Sequence, residues 1–378
     1  MSRATSNRVA SKDGVGATTI GEDERWMREA VVEAMRGLGH TAPNPAVGCV
    51  LVRRGVEVAR GYHRRAGQPH AEAEALANAG ARARGATAYV TLEPHAHQGR
   101  TPPCTDALIR AGVTRVVVGC IDPHAVVAGR GIRQLRAAGI EVVTGMLEHE
   151  CSDLIRGYRE FVTRRKPLVH LKLAASLDGR IAAAGGDSRW ISTTASRRLV
   201  QLMRARAEAV LVGIGTVLAD DPRLTARVRG ARQPLRVVLD PELRTPRDAK
   251  LVRGRGPCLL VGSPSSSMSR RRALEKAGAE VAVMDSRGRR GWGRLLAALA
   301  ERDVMEVLVE GGSGVAASAV RAGVVNRVSI FYNPRLLGGD GVPMLGSLGV
   351  RRAADGPRLT ALGIRAIGED LLWEGEFQ

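Results

Sequence analysis

The 378 residues suffice for two domains, each long enough to bury its own core. Hydrophobic residues make up 44%, and no apolar run is long enough to span a bilayer, which sets aside a membrane-embedded class. The formal net charge of +19 is almost all arginine scattered through both halves, and aromatics are only 3%. Stacking platforms for nucleic acid are therefore scarce, and small anionic substrates such as phosphates and dinucleotides suit the field better.

Residues 1–21 are expected to form a disordered tail, rich in Ser, Thr, Ala, Gly and Arg. No basic start followed by an apolar core marks a secretory leader. The five cysteines are odd in number and form no Cys-x-x-Cys pair, which fits a reducing cytoplasm. Residues 22–39 carry a helical stripe, with Trp26, Ala30, Ala34 and Leu38 on one face and Gly39 as its end. Asn44, held between Pro43 and Pro45, offers a free amide on a rigid backbone, and a buried strand follows. Its two readings are a grip on a planar substrate edge and a turn residue bonding its own backbone.

Pro69 followed by His70-Ala71-Glu72 and an Ala/Glu-rich run puts His70 and Glu72 at a helix N-terminus. A strand over 88–92 leads to Pro94-His95-Ala96-His97, and Pro102-Pro103-Cys104 opens a second helix. His-x-Glu with a downstream Pro, a ligand and a Cys resembles the signature of the zinc nucleobase deaminases. There, three side chains hold Zn²⁺ and leave a fourth position to water, while a Glu that is not a ligand carries the proton to departing ammonia. By that signature the metal set is His70, His95 and Cys104, and Glu72 is the proton carrier. The signature has Cys where this chain has His95, a change that raises the charge at the metal by one unit and moves the donor atom. Preservation, retuning and loss of the site are all open at this stage.

Strands at 115–119 and 140–143 flank a helix near 131–138, which argues a three-layer α/β domain with a largely parallel sheet. A charged helix over 150–166 ends at Arg164-Arg165-Lys166-Pro167, and the boundary is placed there: a domain over 22–165 and another over 166–378. The second begins with a strand over 168–173 carrying Lys172. It continues through a Gly-rich loop at 185–192, a helix over 194–206 and strands near 235–239, 258–261, 280–284 and 305–309. Two glycine turns, at Gly213 and Gly215 and at Glu310-Gly311-Gly312-Ser313-Gly314, read either as phosphate cradles or as tight packing turns. Taken together they favour a dinucleotide site.

The whole order of motifs resembles the bifunctional pyrimidine deaminase–reductases of riboflavin biosynthesis. In the first half the resemblance rests on Pro43-Asn44-Pro45, His70-Ala71-Glu72 and Gly99-Arg100-Thr101-Pro102-Pro103-Cys104. In the second it rests on residues 172–179, Gly186-Asp187-Ser188-Arg189-Trp190-Ile191, the run from Gly215 to Pro222, and Glu310-Gly311-Gly312. It implies a cytidine-deaminase-like N-terminal domain and a dihydrofolate-reductase-like α/β C-terminal domain. It also implies two reactions on a phosphoribosyl-pyrimidine: zinc-dependent deamination of 2,5-diamino-6-(5-phosphoribosylamino)pyrimidin-4-one, then NADPH reduction of the ribosyl group to ribityl. By position, Ala174, Trp190, Thr216, Asp220, Gly312, Ser313, Gly314, Val315, Ala316, Ala317 and Ser318 match nucleotide-binding residues. Ser188, Arg204, Leu224, Arg227 and Glu310 match substrate-binding residues, Asn44 and His97 are expected to join them in the first half, and Lys172 is expected beside the reacting ribose. Arginine forks suit the phosphate. A cytoplasmic homo-oligomer, dimer or tetramer, is expected, with no nucleic-acid or membrane partner.

Two departures from the family fall in the first half: His95, and Asp122-Pro123-His124-Ala125 in place of Asp-Pro-Asn-Pro. They keep two alternatives in view, a reductase with a degenerate deaminase domain and a paralogue acting on a related pyrimidine.

Overall fold

The computed structural model describes residues 20–99 and 102–377. The chain divides into two compact units between Ile155 and Arg156, ten residues before the expected boundary. Apart from Ile20 and Gly21, which open the first helix, the expected tail lies outside the described residues.

The first unit runs α1 (Ile20–Met35), β1 (Gly48–Arg53), β2 (Val56–Tyr62), α2 (Ala71–Ala79), β3 (Thr87–Leu92), α3 (Cys104–Ala111), β4 (Arg115–Cys120), α4 (Arg130–Ala137), β5 (Glu141–Thr144) and α5 (Glu148–Leu154). Its sheet has the order β2-β1-β3-β4-β5. The pairing is parallel only from β3 to β5, because β1 is antiparallel to both of its neighbours. The hairpin comes from Arg54 and Gly55, both at positive φ, which closes a two-residue turn. The largely parallel expectation is corrected to a mixed sheet. The central strands read as unbroken apolar runs because both of their faces are covered, and Cys49, Val50, Val90 and Val117 are fully buried.

Helix α1 buries Trp26, Met27, Ala30 and Ala34 as its stripe requires. It ends at Met35 rather than at 39. Arg36, Gly37 and Leu38 donate three residues back, to Glu33, Ala34 and Met35, which tightens the last turn out of α geometry. The helix is fastened by Asp23, a buried carboxylate that accepts the Tyr89 hydroxyl at 2.8 Å and two Arg115 donors at 2.7 and 2.8 Å.

The second unit runs α6 (Arg156–Arg164), β6 (Leu168–Ser176), β7 (Arg180–Ala182), α7 (Thr194–Arg206), β8 (Ala209–Gly213), α8 (Ile214–Asp220), β9 (Leu235–Leu239), α9 (Lys250–Arg253), β10 (Cys258–Gly262), α10 (Met268–Lys276), β11 (Glu280–Val283), α11 (Gly288–Ala300), β12 (Glu306–Val309), α12 (Ser313–Arg321), β13 (Arg327–Asn333), β14 (Val342–Pro343), β15 (Leu359–Ile367) and β16 (Asp370–Phe377). The helix expected over 150–166 is thus two, α5 and α6, broken at Ile155. The main sheet has nine strands in the order β11-β10-β9-β8-β12-β6-β13-β16-β15. It is parallel from β11 to β13 and finishes in an antiparallel hairpin. Two apolar layers sandwich it, one centred on Trp292, Leu295 and Leu299, the other on Val210, Leu251 and Leu260. No helix among the described residues is long and apolar enough to cross a membrane.

Replacing Asp23 by Ala removes the acceptor of a buried ion pair, a change that costs about 3 kcal/mol. Urea denaturation of the intact chain should show the first unit losing that much stability; a loss below about 1 kcal/mol would refute the anchoring role.

Candidate active sites

In the first unit, three elements deliver the metal-ligand candidates. His70 is the N-cap of α2, His95 follows the end of β3, and Cys104 is the first residue of α3. Each of the three offers one ligand atom, and these atoms lie within 4.8 Å of one another, with Cys104 Sγ 3.5 Å from His70 Nδ1. A tetrahedral zinc with bonds of about 2.0–2.3 Å spaces its ligands about 3.3–3.8 Å apart, so the donor set and its spacing fit the ion. Burial, then the neighbouring His95, His63 and His97 rings, hold the His70 imidazole down to about 4, in the neutral form that ligates. Burial and Glu72 push the Cys104 thiol up, so a thiolate there calls for a cation beside it. Glu72 lies in the first turn of α2, is only 3% exposed, and has its carboxyl raised by burial.

Asn44 and His63 form a hydrogen-bonded pair beside His70. The His63 Nδ1–H donates to the Pro69 carbonyl at 3.0 Å, which leaves Nε2 to accept from the Asn44 amide at 3.0 Å. The Asn44 amide nitrogen is thereby engaged by His63 rather than by its own backbone, and the self-bonded turn reading gives way. His63, whose ring is 5.0 Å from His70, was not singled out in the sequence, where it has no motif of its own. His97 is exposed, with its ring 5.4 Å from that of His95. Arg100 and Thr101 of the Pro-Pro-Cys motif lie outside the described residues.

A second residue missed in the sequence is Glu93, buried immediately before Pro94 and His95. Its carboxylate accepts four backbone N–H groups: Asp122 and Gly129 at one oxygen, Gly131 and Ile132 at the other, at 2.9–3.3 Å. It therefore ties the departed loop at 122–125 and the start of α4 to the segment that carries His95. A Cβ on Gly131 would stand 1.8 Å from the Pro94 carbonyl oxygen, so only glycine lets α4 come this close. Within the loop, Asp122 accepts the His124 N–H at 2.8 Å, an Asx turn.

In the second unit, a cleft of about 410 Å³ opens at the C-terminal ends of the parallel strands. Strand β6 contributes Lys172 and Ala174. The loop before α7 gives Ser188 and Trp190, α7 gives Arg204, and α8 gives Thr216 and Asp220. Leu224 and Arg227 follow, and Glu310 and Gly312 sit where β12 ends. Eleven positions chosen from the sequence thus meet in one place. The rest of the matched nucleotide run does not line the cleft. Ser313, Gly314 and Val315 form the first turn of α12, Ala316 and Ala317 are buried, and the Ser318 hydroxyl accepts the Trp292 indole N–H at 3.0 Å. Val315 packs where a Cβ on Gly213 or Gly311 would stand, 2.6 Å away, so those two glycines serve packing; Gly215 and Gly314 face open space.

Glu310 is the centre of the cleft's charge. Arg204 grips it with two donors, at 2.5 and 3.0 Å, and Lys172 Nζ stands 3.7 Å away. Burial pushes the Glu310 carboxyl up, but the Arg204 and Lys172 cations outweigh it and leave it below the usual range. Burial also lowers Lys172. The Arg204 fork is thus turned on a protein carboxylate, with Nη1 donating to the Thr225 carbonyl, rather than held ready for a phosphate. Arg227 lines the cleft with no side-chain partner among the described residues. Trp190 is 63% exposed, and the Arg197 guanidinium lies 4.6 Å over its ring.

Comparison with known proteins matches residues 20–120 to the cytidine and deoxycytidylate deaminase zinc-binding region, and residues 167–373 to the RibD C-terminal domain. The riboflavin biosynthesis protein RibD of Aquifex aeolicus is 40% identical over 352 residues, covering 93% of this chain and 97% of that protein. Its Escherichia coli counterpart is 40% identical over 363 residues, covering 93% and 98%. Among solved structures, Acinetobacter baumannii RibD is 38% identical with a TM-score of 0.85, covering 95% of this chain and all of that one. A diaminohydroxyphosphoribosylaminopyrimidine deaminase/5-amino-6-(5-phosphoribosylamino)uracil reductase from Thermotoga maritima is 35% identical with a TM-score of 0.84, covering 95% and 99%.

Glu93→Ala leaves four buried N–H groups without their acceptor and frees the segment bearing His95. Zinc affinity, read by competition with a chelator, should fall at least about tenfold, as for other groups that orient a metal ligand. Wild-type affinity in a folded Glu93→Ala protein would refute the assignment.

Proposed function

The chain belongs to the RibD family of bifunctional deaminase–reductases of riboflavin biosynthesis, and from that premise we propose how its own residues divide the two reactions. In the deaminase, His70, His95 and Cys104 hold the zinc, and the reading is carried by the convergence of their three ligand atoms within 4.8 Å. Zinc, when bound there, supplies a Lewis acid that makes water nucleophilic near neutral pH. Glu72 takes the water's proton on its carboxylate and returns it to the amino nitrogen that leaves the pyrimidine as ammonia. Its burial in the first turn of α2 suits that exchange, because burial raises the carboxyl above its usual range and so eases the uptake of a proton. With its amide nitrogen held by His63, Asn44 offers its oxygen to the pyrimidine edge, and His97 closes the exposed side.

In the reductase, the cleft holds NADPH and the phosphoribosyl-pyrimidine. Ala174, Trp190, Thr216, Asp220 and Gly312 face the nucleotide; Ser188, Leu224 and Arg227 face the substrate. NADPH, when bound, supplies the hydride for the ribosyl C1′. Lys172 gives its Nζ proton to the ring oxygen released as the C1′–O bond opens, and Glu310 holds Lys172 in place. Arg204 acts through Glu310, and Arg227 takes the phosphate. The domain division is read at Ile155/Arg156. A homo-oligomer, dimer or tetramer, in the cytoplasm is part of the same reading; five buried, unbridged cysteines suit a reducing compartment.

The test is ammonia release from 2,5-diamino-6-(5-phosphoribosylamino)pyrimidin-4-one by the zinc-supplemented protein without NADPH. Release that Glu72→Gln lowers at least about a hundredfold, with zinc content unchanged, is the expected result. Absence of release, with reduction of the deaminated uracil intact, would leave a reductase with a retired first domain and sink the assignment. Lys172→Met should lower kcat for NADPH oxidation at least about a hundredfold with little change in KM; an equal rise in KM alone would make Lys172 a binding residue only.

A further inference from the structure

The loop that carries Ser188 and Trp190 into the cleft passes into α7 at Thr193, the helix N-cap, whose hydroxyl accepts the Ser196 N–H at 3.3 Å. The same hydroxyl donates to Asp370 Oδ2 at 2.8 Å, and the Thr193 backbone N–H donates to that oxygen at 2.8 Å. The other oxygen, Oδ1, accepts the Asn333 amide at 2.7 Å. Asp370 is fully buried and is not among the residues lining the cleft. One carboxylate, 177 residues along the chain from its partner, thus joins three elements: the start of α7, the end of β13 and the start of β16. It also stands at the N-terminus of a 13-residue helix, where negative charge is favoured.

What hangs from this joint is one side of the cleft. Upstream of Thr193 lie Ser188 and Trp190; downstream, α7 brings Arg197 over the Trp190 ring, with Val200, Gln201 and Arg204 beyond it. Lys172 and Glu310 hang instead from β6 and the end of β12, whose backbones the sheet pairs directly, and α7 reaches them only through the Arg204 side chain. We propose that Asp370 is a positioning residue of the reductase: by pinning Thr193 it fixes the loop–helix junction, and so sets cofactor affinity without touching the reacting atoms. This rests on the cleft being the NADPH site.

The experiment is steady-state reduction by the full chain, with Trp190→Ala beside the Asp370 variants as the control on the cleft itself. Asp370→Ala removes the acceptor of three hydrogen bonds and should raise the KM for NADPH about tenfold, with kcat within about threefold of wild type. Asp370→Asn should recover most of that loss, to within about threefold. One oxygen still serves both Thr193 donors, and the Asn333 amide turns its oxygen to the new NH₂. A merely structural role would lower the amount of active enzyme and leave KM unchanged. Ammonia release by the same chain reports that the first unit is folded, and the unfolding transition reports on the second. If Asp370→Ala fails to fold, Thr193→Val, which keeps the backbone bond, should raise KM about threefold. A KM that stays at the wild-type value in folded Asp370→Ala or in Thr193→Val, while Trp190→Ala raises it, overturns the positioning role. So does an Asp370→Asn as impaired as Asp370→Ala. No rise in any of the variants overturns the reading of the cleft, and the proposal with it.

Discussion

A carboxylate taken out of water must be answered by donors or by opposite charge, and this chain uses that requirement as its joinery. Glu310 is the case on which the reductase depends. It sits at the end of β12, where the backbone turns into α12, with its side chain only 8% exposed. Arg204 from α7 and Lys172 from β6 are therefore drawn onto it, and three elements that share no sequence proximity are fixed around one cleft. The pairing also decides roles. An arginine whose fork is spent on a protein carboxylate contributes rigidity, while the lysine beside it, its ammonium lowered by burial, lines the open cleft.

The first unit repeats the device with neutral partners. Glu93 is answered by four peptide N–H groups rather than by a cation, which lets a carboxylate stand next to a metal-ligand segment without adding a side-chain cation there. Asp23, by contrast, fastens α1 onto β3 and β4 with one neutral donor, the Tyr89 hydroxyl, and one cation, Arg115. In a protein of net charge +19, acids are the scarcer sign, and Asp23, Glu93 and Glu310 each stand where distant pieces of chain meet.

This explains what the sequence could and could not disclose. Apolar strand runs and the helix over 194–206 were legible because their period and length are local properties. The His70-Ala71-Glu72 and Pro-Pro-Cys104 motifs were legible because ligand chemistry demands fixed residue types near helix starts. The antiparallel start of the first sheet hung on two residues, Arg54 and Gly55, and the break at Ile155 on no breaker residue at all. Gly213 and Gly311 looked like part of a phosphate cradle, yet they make room for Val315. Arg204 looked like a phosphate fork because its partner lies 106 residues away. Asp370, Glu93 and His63 had no signal, since their roles are defined only by what folding brings to them.

The same logic separates a structural constellation from a catalytic one. His170 lies between Ser329 Oγ, 2.9 Å from Nε2, and Glu306, 3.3 Å from Nδ1, the order of a serine hydrolase triad. Ser329 has no exposed surface, its hydroxyl is within reach of Glu374 at 3.2 Å, and Arg156 of α6 pairs with Glu306 at 3.2 Å. No substrate reaches that serine, so the three residues are a satisfied polar bridge across β12, β6 and β13. Two positions further along β6, on the same face of the strand, Lys172 makes a comparable pairing with Glu310. There the open cleft replaces α6. A polar pairing on one strand is closed off where a helix covers it and is open to a ligand where the cleft lies beside it.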